Sequence, residues 1–429
     1  MHEQKTDTCP ECAEKEKRIQ ELERRLATNS SNSSKPPSSD SPYKKPKPQS
    51  LRPKGQNKSG GQLGHQGHTL QQVEDPNNKI IHAVDNCSNC GLSLYMHGAE
   101  KVIKRQVFEI PPINYEVTEH QAEVKTCSCG YRNTASFPAE ITAPVQYGKR
   151  VKALSVYFLN QQLIPEDRVQ QIFADVLSLK LSTASIIKFN HEAAEKINPT
   201  QEQVLESLKS ASFKHLDESG LRVGSKLHWL QVISDSRHTH YRVSQKRKDL
   251  LENVSGIIIH DHYKPYFQMT GVLHALCNAH HLRELKALEE IEKESWAKRM
   301  GKFMRMLPKL KDPPPGRIFD LYDWIVDRGF NYHLSQPKLS GRKKRTGHNL
   351  LLRLKNFKEA VLRFMVYPGL PFTNNQAEQD IRMIKVKQKI SGGFRTIKGA
   401  ENFCIIRGFI STNRKQNINV FSAIQNAIA

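Results

Sequence analysis

The sequence lacks any long hydrophobic run. No apolar stretch approaches the roughly 18 residues that a membrane-spanning helix needs, and no apolar h-region follows Met1. These two absences argue against a membrane-spanning protein and against a secreted one. Without a secretory signal, the eight cysteines are not expected to form a disulfide framework, because disulfides persist mainly in oxidising compartments.

Acidic residues are scarce relative to basic ones. Asp and Glu total 43 against 65 for Lys and Arg, so the formal net charge is +22. Many basic proteins are merely soluble, but such an excess favours a polyanionic partner, nucleic acid before a membrane surface. With 429 residues, the chain is long enough for two or more domains with hydrophobic cores.

Four of the cysteines form two close pairs, Cys87 with Cys90 and Cys127 with Cys129. Two pairs of thiolates suit a tetrahedral zinc site, although the second pair is separated by one residue instead of the commoner two. The alternative is four reduced structural cysteines. Strand-like sequence lies between the pairs, at 102–124. A zinc ion would staple a small domain that has too few apolar residues to fold alone.

The N-terminal region combines a short helix with a compositionally biased linker. Residues 11–27 carry apolar residues at heptad spacing, which predicts a helix that either dimerises or is solvated. Cys9 and Cys12 have no second pair nearby and are interpreted as reduced thiols. Residues 28–64 are rich in Ser, Asn, Pro, Gly and Lys, which predicts a basic disordered arm able to follow a phosphate backbone.

Helical periodicity returns between residues 146 and 196. Two apolar-striped segments are followed by a break at 178–181 and by a third segment, for which Ser182 is the expected N-cap. Helix, short turn, helix is the outline of a DNA-reading pair. Generic helix packing fits the same pattern equally well.

The pattern then changes to strands, predicted at 213–220, 227–234, 240–243 and 256–261, with a helical segment at 249–254. Three strands, a helix and a buried strand is the order that opens a ribonuclease-H-like fold, in which the first and fourth strands are neighbours. Asp217 on the first strand and Asp261 at the end of the fourth would then meet. Glu218 would point to the opposite face, because side chains alternate along a strand. An acid at a strand end can equally be an ordinary turn former.

A helix near the C-terminus is predicted to begin at Asn374 or Asn375, whose side chain could cap it, and to end at Gly392. Apolar residues at helical spacing give it one buried face, and Glu378 stands at the edge of that face. Two interpretations are open. One is a surface ion pair of Glu378 with Arg382, worth about 0.2–0.5 kcal/mol, and the other is a functional carboxylate among cations.

Several blocks of the sequence resemble one family. Pro371–Arg382, with Lys387–Lys389 and Ser391–Arg395 after it, is similar to the last catalytic block of the DDE transposases of the IS66 insertion-sequence family. Gly60–His68 resembles the family's N-terminal signature. The residues around Asp217 and Asp261 resemble its first two acidic blocks, in the family's order. The resemblance extends from about residue 28 to residue 425.

The resemblance implies a DNA transposase with Asp217, Asp261 and Glu378 as its catalytic triad. These carboxylates would hold two magnesium or manganese ions, which prefer oxygen ligands. Water would first free a 3′-hydroxyl at the end of the element, and that hydroxyl would then attack target DNA. The family also carries a zinc-binding domain with cysteines that match the two pairs, so a structural zinc is expected.

The implied fold is multidomain α+β, with a ribonuclease-H-like α/β catalytic core that contains a helical insertion. A small zinc-binding domain and a helical DNA-binding region precede the core. The expected limits are 1–27 for the N-terminal helix, 28–75 for the basic disordered linker, 76–140 for the zinc-binding domain, 145–200 for the helical region and 208–425 for the catalytic domain, with the insertion at about 286–370.

The basic residues expected to contact DNA are Arg382, Lys385, Lys387, Lys389, Arg395 and Lys188. A basic cluster at 342–345 is either a further contact or a solvated loop. Cys277 and His280 also match the family, with a structural role or, for His280, a phosphate contact as the alternatives. The implied partners are the element ends and target DNA, further copies of the chain and small accessory proteins of the same element. The implied location is the nucleoid in the bacterial cytoplasm.

Two other functions stay open, a catalytically inactive DNA-binding relic and a hydrolytic nuclease on the same fold. The three intact acids argue against the relic. The family often carries a further C-terminal extension with a Leu-Pro-Trp-like motif, whereas this chain ends at Ala429. We therefore expect either a shorter branch of the family or a truncated chain, and the short C-terminus favours the relic.

Overall fold

The structure is a computed structural model that describes residues 9–33, 70–310, 315–337 and 344–428. The chain divides into two compact units, one of residues 49–117 and one of residues 1–48 with 118–429. The Gly60–His68 signature, most of the predicted linker, and Arg342 and Lys343 lie outside the described residues. Over the described ranges, no helix combines the length and the apolar character needed to cross a lipid bilayer.

The described residues form twelve α-helices, all in the larger unit. They are α1 (Pro10–Ala27), α2 (Lys149–Asn160), α3 (Glu166–Leu177), α4 (Thr183–Ser210), α5 (Asn278–Glu290), α6 (Ser295–Met306), α7 (Pro315–Leu334), α8 (Thr346–Asn356), α9 (Lys358–Val366), α10 (Asn375–Ser391), α11 (Ile397–Lys415) and α12 (Val420–Ala427).

The strands of the larger unit form a hairpin and a mixed sheet. They are β1 (Val124–Thr126) and β2 (Arg132–Thr134) in the antiparallel hairpin, and β3 (Phe213–Val223), β4 (Lys226–Ser234), β5 (Thr239–Ser244), β6 (Gly256–His260) and β7 (Val272–Leu276) in the sheet. The sheet order is β5-β4-β3-β6-β7. β4 is antiparallel to β3 and β5, whereas β6 is parallel to both β3 and β7. The predicted strands are confirmed, including the fourth beside the first.

The two faces of β3 meet different layers, because side chains alternate along a strand. Leu221 and Val223 pack with α10 and α11, for example against Ile384. Leu216, on the other face, packs with Leu208 of α4. The sheet is therefore covered on both sides. A polar side chain near the middle of β3, such as that of Asp217, lies at the edge of one of these hydrophobic layers.

Helices α2, α3 and α4 occupy the region where helices were predicted. Ser182 is the N-cap of α4, and its hydroxyl accepts from the backbone N–H of Ser185 over 3.0 Å. The apolar faces of the three helices pack with α11 and α12, as in the cluster that contains Phe173 and Ile406. This region is thus built into the larger unit.

Helices α6 to α9 form the predicted helical insertion between α5 and α10. They enclose a hydrophobic core that includes Met300, Tyr322 and Leu351. At the junction of α8 and α9, the ring of Phe357 packs edge-on against His262, with 4.7 Å between ring centroids. Since His262 follows Asp261 directly, the insertion is anchored beside that acid.

The segment at 249–254 is a loop and not the predicted helix. Asn253 has a φ of +57°, in the left-handed region, which interrupts helical geometry. Leu251 and Val254 are buried in the same cluster as Ile258. Their apolar character therefore reflects a loop that packs under the sheet.

The strand-prone stretch between the two cysteine pairs is also not as predicted. Residues 102–117 form no strand, and most of their side chains are exposed. Strand propensity reflects the fit of a side chain to a half-buried, pleated surface, and no strand within the described ranges pairs with this stretch. In the same unit, the side chain of Gln106 bonds both backbone groups of Val73.

The Asn/Ser run after α1 was predicted to be disordered from residue 28. Its first residues instead form a hydrogen-bonded turn. Asn32 donates from Nδ2 to the carbonyl of Ala27 over 3.0 Å, and its Oδ1 accepts from the N–H of Asn29 over 2.7 Å. Asn32 is buried. Asn and Ser side chains close such turns locally without a hydrophobic core.

Candidate active site

Asp217 and Asp261 lie on neighbouring parallel strands at equivalent positions. The β3–β6 register pairs Phe213 with Ile257 and His215 with Ile259, a constant offset of 44. The same offset takes Asp217 to Asp261, one residue beyond the end of β6. β3 continues along β4 after β6 has ended. The two acids therefore lie at the end of the parallel β3–β6 pairing, where the two strands separate. Ligands bind at this position in open α/β sheets.

Each of these carboxylates is oriented by the backbone that follows it. Asp217 Oδ1 accepts from the N–H of Glu218 over 2.9 Å, and Asp261 Oδ1 accepts from the N–H of Tyr263 over 2.8 Å. Both acids are partly buried. One oxygen of each is held by the chain, and the rest of each carboxylate is left for another ligand.

Glu378 lies in the first turn of α10, as predicted. Asn374 is the N-cap, but its side chain does not cap the helix. Instead, Asn374 Nδ2 donates to the carbonyl of Leu216 over 2.7 Å, and its Oδ1 lies 2.8 Å from His215 Nδ1. The start of α10 is therefore fixed to the strand that bears Asp217. Gly392, with a φ of +73°, ends the helix as predicted.

The predicted surface ion pair of Glu378 with Arg382 does not form among the described residues. Glu378 Oε2 lies 3.7 Å from Arg283 of α5, and Arg382 is exposed. The Glu378 side chain is 27% exposed to solvent. The carboxylate therefore faces the strand ends and α5, which is the side on which the two aspartates lie.

The three acids interact electrostatically. Burial raises the pKa of Asp217 well above its usual range, and the neighbouring charges of Glu218, Asp261 and Glu378 raise it further. Like charges in a confined site disfavour ionisation. A cation bound among them would relieve this cost, and the available oxygen donors are those that magnesium and manganese prefer.

A second set of donors also includes Glu378. Cys277, His280 and Glu378 bring a sulfur, a ring nitrogen and a carboxylate oxygen within 4.8 Å of one another. Burial raises the pKa of the Cys277 thiol to about 12. Its Sγ accepts from the backbone N–H of Asn374 over 3.1 Å. Cys277 therefore helps to fix the start of α10, which agrees with the structural interpretation.

Glu218 faces away from the triad, as the strand alternation predicted. Its side chain is 1% exposed and is paired with Arg247, whose Nε donates over 2.9 Å. Tyr266 donates its hydroxyl to the same carboxylate. The Arg247 guanidinium also lies 3.9 Å from the ring centroid of Tyr263. This cluster supports the loop that follows Asp261 from behind the sheet.

Five of the six residues predicted to contact DNA are exposed, namely Arg382, Lys385, Lys389, Arg395 and Lys188. The Nζ of Lys385 donates to the carbonyl of Gly220 over 3.1 Å, and the charge of Asp217 opposes the lowering of the Lys385 pKa that burial causes. Lys387 differs from the others. It is only 7% exposed, and burial lowers its pKa. Its ammonium group is held away from solvent, so the remaining five are the candidates.

Each predicted zinc-binding pair lies in a tight turn. In the smaller unit, Gly91 donates its N–H to the carbonyl of Cys87 over 2.9 Å, with a φ of +75°. In the larger unit, Gly130 donates to Cys127 over 2.8 Å, with a φ of +87°. Backbone N–H groups inside each turn lower the pKa of the Cys87 and Cys127 thiols. Both turns therefore favour the thiolate, which is the metal-binding form.

Three residues around the acids were not singled out from the sequence. Asn374 was considered only as a cap, and its bonds to the strand depend on tertiary structure. Arg247 sits in a loop after β5 with no local motif. Arg283 lies three residues after His280 on α5. This spacing places the two side chains on the same face of the helix, and it was the signal that could have identified Arg283.

Sequence comparisons identify the family of the chain. Residues 144–402 match the Transposase IS66 family, residues 85–130 match the zinc-finger binding domain of transposase IS66, and residues 9–71 match a family of unknown function. The chain is also similar to the uncharacterized protein y4jO of Sinorhizobium fredii, with 25% identity over 137 residues. That alignment covers 32% of this chain and 39% of the relative's length. Because the first match spans more than half of the chain, the protein belongs to the IS66 transposase family.

Proposed function

We propose that this protein is the DNA transposase of an insertion sequence, and that Asp217, Asp261 and Glu378 are its catalytic triad. The observation that carries the proposal is the equivalent position of Asp217 and Asp261 on parallel strands, with the helix of Glu378 fixed to the same strand through Asn374. The strand order, with three antiparallel strands followed by two parallel ones, supports a ribonuclease-H-like core.

The triad fits a divalent metal centre. Its three carboxylates supply oxygen donors. Burial, together with the nearby charges of Glu218, Asp261 and Glu378, raises the pKa of Asp217, which supports a bound cation as the missing counter-charge. Asp217, Asp261 and Glu378 would hold magnesium or manganese, with Glu378 close to Arg283 on its other side. When bound, such ions activate an attacking oxygen and stabilise a leaving one.

The protein's own residues position the DNA for two successive displacements at phosphorus. In the first, a water oxygen bonds to the phosphorus at the element's end and the bond to the 3′-oxygen breaks. In the second, that 3′-hydroxyl oxygen loses its proton and bonds to a phosphorus of the target strand, and the bond from this phosphorus to the target strand's own 3′-oxygen breaks, which leaves a 3′-hydroxyl on the target. The exposed cations near the acids, Lys385 among them, hold the phosphates. The chain forms no covalent bond to DNA.

Zinc has a structural role in the proposal, with Cys87, Cys90, Cys127 and Cys129 as its ligands. This assignment rests on the sequence, on the zinc-finger match over residues 85–130 and on the geometry inside each turn. Tetrahedral sulfur sites of this kind hold small domains together. The smaller unit needs such support, since many of its large apolar side chains are exposed.

The test is the Glu378→Gln variant in an assay with labelled end DNA, a target plasmid and magnesium. Gln keeps the helix and leaves the cations in place, so end-binding is retained. Cleavage and joining should fall on the order of 10³-fold or more, and a second substitution at Asp217 should add little, because the residues act as a unit. The matched control is Glu401→Gln, an exposed carboxylate on α11.

Joining by folded Glu378→Gln at the level of the control would overturn the triad. Cleavage without any joined product, in the unmodified protein, would instead support a hydrolytic nuclease on the same fold. End-binding with neither cleavage nor joining would support the inactive relic.

A further inference from the structure

The helical insertion contains a groove that the proposed chemistry does not use. It lies between α6 and α7, has a volume of about 350 Å³, and is lined by Trp296, Arg299, Trp324, Arg328 and Asn331 among others. This volume is near the lower end of the roughly 300–1,000 Å³ typical of small-ligand sites. The groove is therefore large enough for one compact ligand.

Trp324 is the side chain that packing of α7 leaves unexplained. It is 45% exposed, whereas Tyr322 on the opposite face of the helix is 0% exposed. By contrast, Trp296 at the bottom of the groove is buried and donates from Nε1 to Glu294 over 2.6 Å. Part of the Trp324 ring is therefore open to solvent inside the groove, and this part offers a surface for stacking.

Two guanidinium groups lie over the ring of Trp324. The Cζ of Arg328 is 4.4 Å and that of Arg299 is 5.8 Å from the ring centroid. A planar ligand stacked between the indole and a guanidinium needs about 3.4 Å on each side, as between bases in DNA. Arg299 is exposed and needs to move by only about 1 Å to admit such a ligand.

The charge around the groove favours an anionic ligand. α6 carries four basic residues, at 298, 299, 302 and 305, and no acidic one. α7 contributes Arg328 and carries three acidic residues, at 320, 323 and 327, of which Asp323 is paired with Lys358 at 2.5 Å. The combination of an exposed aromatic ring, arginines and a basic helix is that of surfaces that bind single-stranded nucleic acid.

The insertion is also anchored close to the acids, since Phe357 packs against His262. From these observations we infer that the groove between α6 and α7 binds an unpaired base of single-stranded DNA, stacked on Trp324 with its phosphates at Arg299 and Arg328. Asn331 also lines the groove. The inference rests on the proposed function for the identity of the nucleic acid, and adds a site that holds an unpaired nucleotide.

The test compares a labelled single-stranded DNA oligonucleotide with the duplex of the same sequence, by fluorescence polarisation in EDTA so that no cleavage occurs. Trp324→Leu should weaken single-strand binding by about 5- to 100-fold and leave duplex binding unchanged. Trp324→Phe keeps a stacking ring and should retain most of the affinity. Leu321→Ala is the matched control, because Leu321 is 42% exposed on the same helix.

Tryptophan fluorescence gives a direct measure of contact. Bound single strand should quench the emission of the unmodified protein more strongly than that of Trp324→Phe, which keeps Trp229 and Trp296. The inference is overturned if single-strand binding by Trp324→Leu equals that of the control, if both DNA forms weaken equally, or if bound single strand leaves the emission unchanged. None of these measurements depends on catalysis, so they are independent of the result with Glu378→Gln.

Discussion

The side-chain amide of Asn374 donates to the carbonyl oxygen of Leu216 over 2.7 Å. The helix that carries Glu378 therefore begins against the residue that precedes Asp217. The same side chain meets His215 at 2.8 Å, and the backbone N–H of Asn374 donates to Cys277 Sγ. One buried asparagine, through its side chain and its backbone, thus holds together the first strand, the start of α5 and the start of α10.

We expect Asn374→Ala to lower the free energy of unfolding by about 2–4 kcal/mol, because it leaves the buried polar groups of His215 and Leu216 without partners. Joining should fall as well, through a lower kcat, since Glu378 loses its fixed position. Denaturant unfolding of Asn375→Ala, an exposed neighbour, is the control and should differ from the unmodified protein by no more than about 0.5 kcal/mol. Equal stability of the two variants would contradict the role of Asn374.

Asp217→Asn should stabilise the metal-free protein at neutral pH. The folded-state pKa of Asp217 is raised by burial, so its contribution to stability is full below the unfolded pKa of about 3.9 and is lost as pH rises through the folded pKa. A neutral amide avoids that loss. In thermal unfolding with EDTA, the variant should melt about 2–4 °C higher.

With magnesium, the unmodified protein should melt at a higher temperature than Asp217→Asn. Magnesium should raise the melting temperature of the unmodified protein and have little effect on Asp217→Asn, because the ion binds only the folded triad. A metal-free variant that melts lower than the unmodified protein, or an equal response of both to magnesium, would contradict a metal centre at Asp217.

Freshly purified protein should contain about one zinc ion per chain. Cys87→Ser and Cys127→Ser should each release it, since removing one thiolate opens a four-ligand site. Elemental analysis measures the content. Cys9→Ser is the control. Hydrogen bonds from Cys12 and Glu11 lower the pKa of the Cys9 thiol as well, but Cys9 belongs to neither of the two proposed zinc-binding pairs. Zinc loss from Cys9→Ser alone would move the site to the N-terminal cysteines.

Acid should destabilise the fold partly through His240. Burial lowers its pKa from the ordinary 6.5 to about 4. A depressed pKa contributes stability above the unfolded value, and that stability is lost as pH falls from about 6.5 toward 4. His240→Gln should make the unfolding free energy less steep in this window by up to about 1.4 kcal/mol per pH unit. His120→Gln, an exposed histidine, should leave the slope unchanged.

The strands and the two aspartates were predictable because the alternation of side chains and the apolar run into Asp261 are local signals. The bonds of Asn374 were not, since its partners lie 158 and 159 residues away and nothing in the local pattern selects them over a helix cap. The helix predicted at 249–254 was wrong because a left-handed Asn253 and burial of the loop outweigh apolar spacing.

Lys387 is a different case, in which the signal was present. It lies three residues after Ile384, on the same stripe as the buried face of α10. Helical spacing alone therefore places it inward, while its charge suggested a phosphate contact. The position in the stripe was the better guide.

The distance along the chain between the acids also sets an order in time. Glu378 is synthesised 161 residues after Asp217, a delay of about 10–30 s at roughly 5–20 residues per second. Until Asn374 arrives, His215 and Leu216 lack the amide that bonds them in the finished protein. A chain broken anywhere in the insertion would carry both cysteine pairs and two acids, but no complete centre. On the proposed assignment, the triad of a newly made chain therefore stays incomplete until Glu378 has been synthesised.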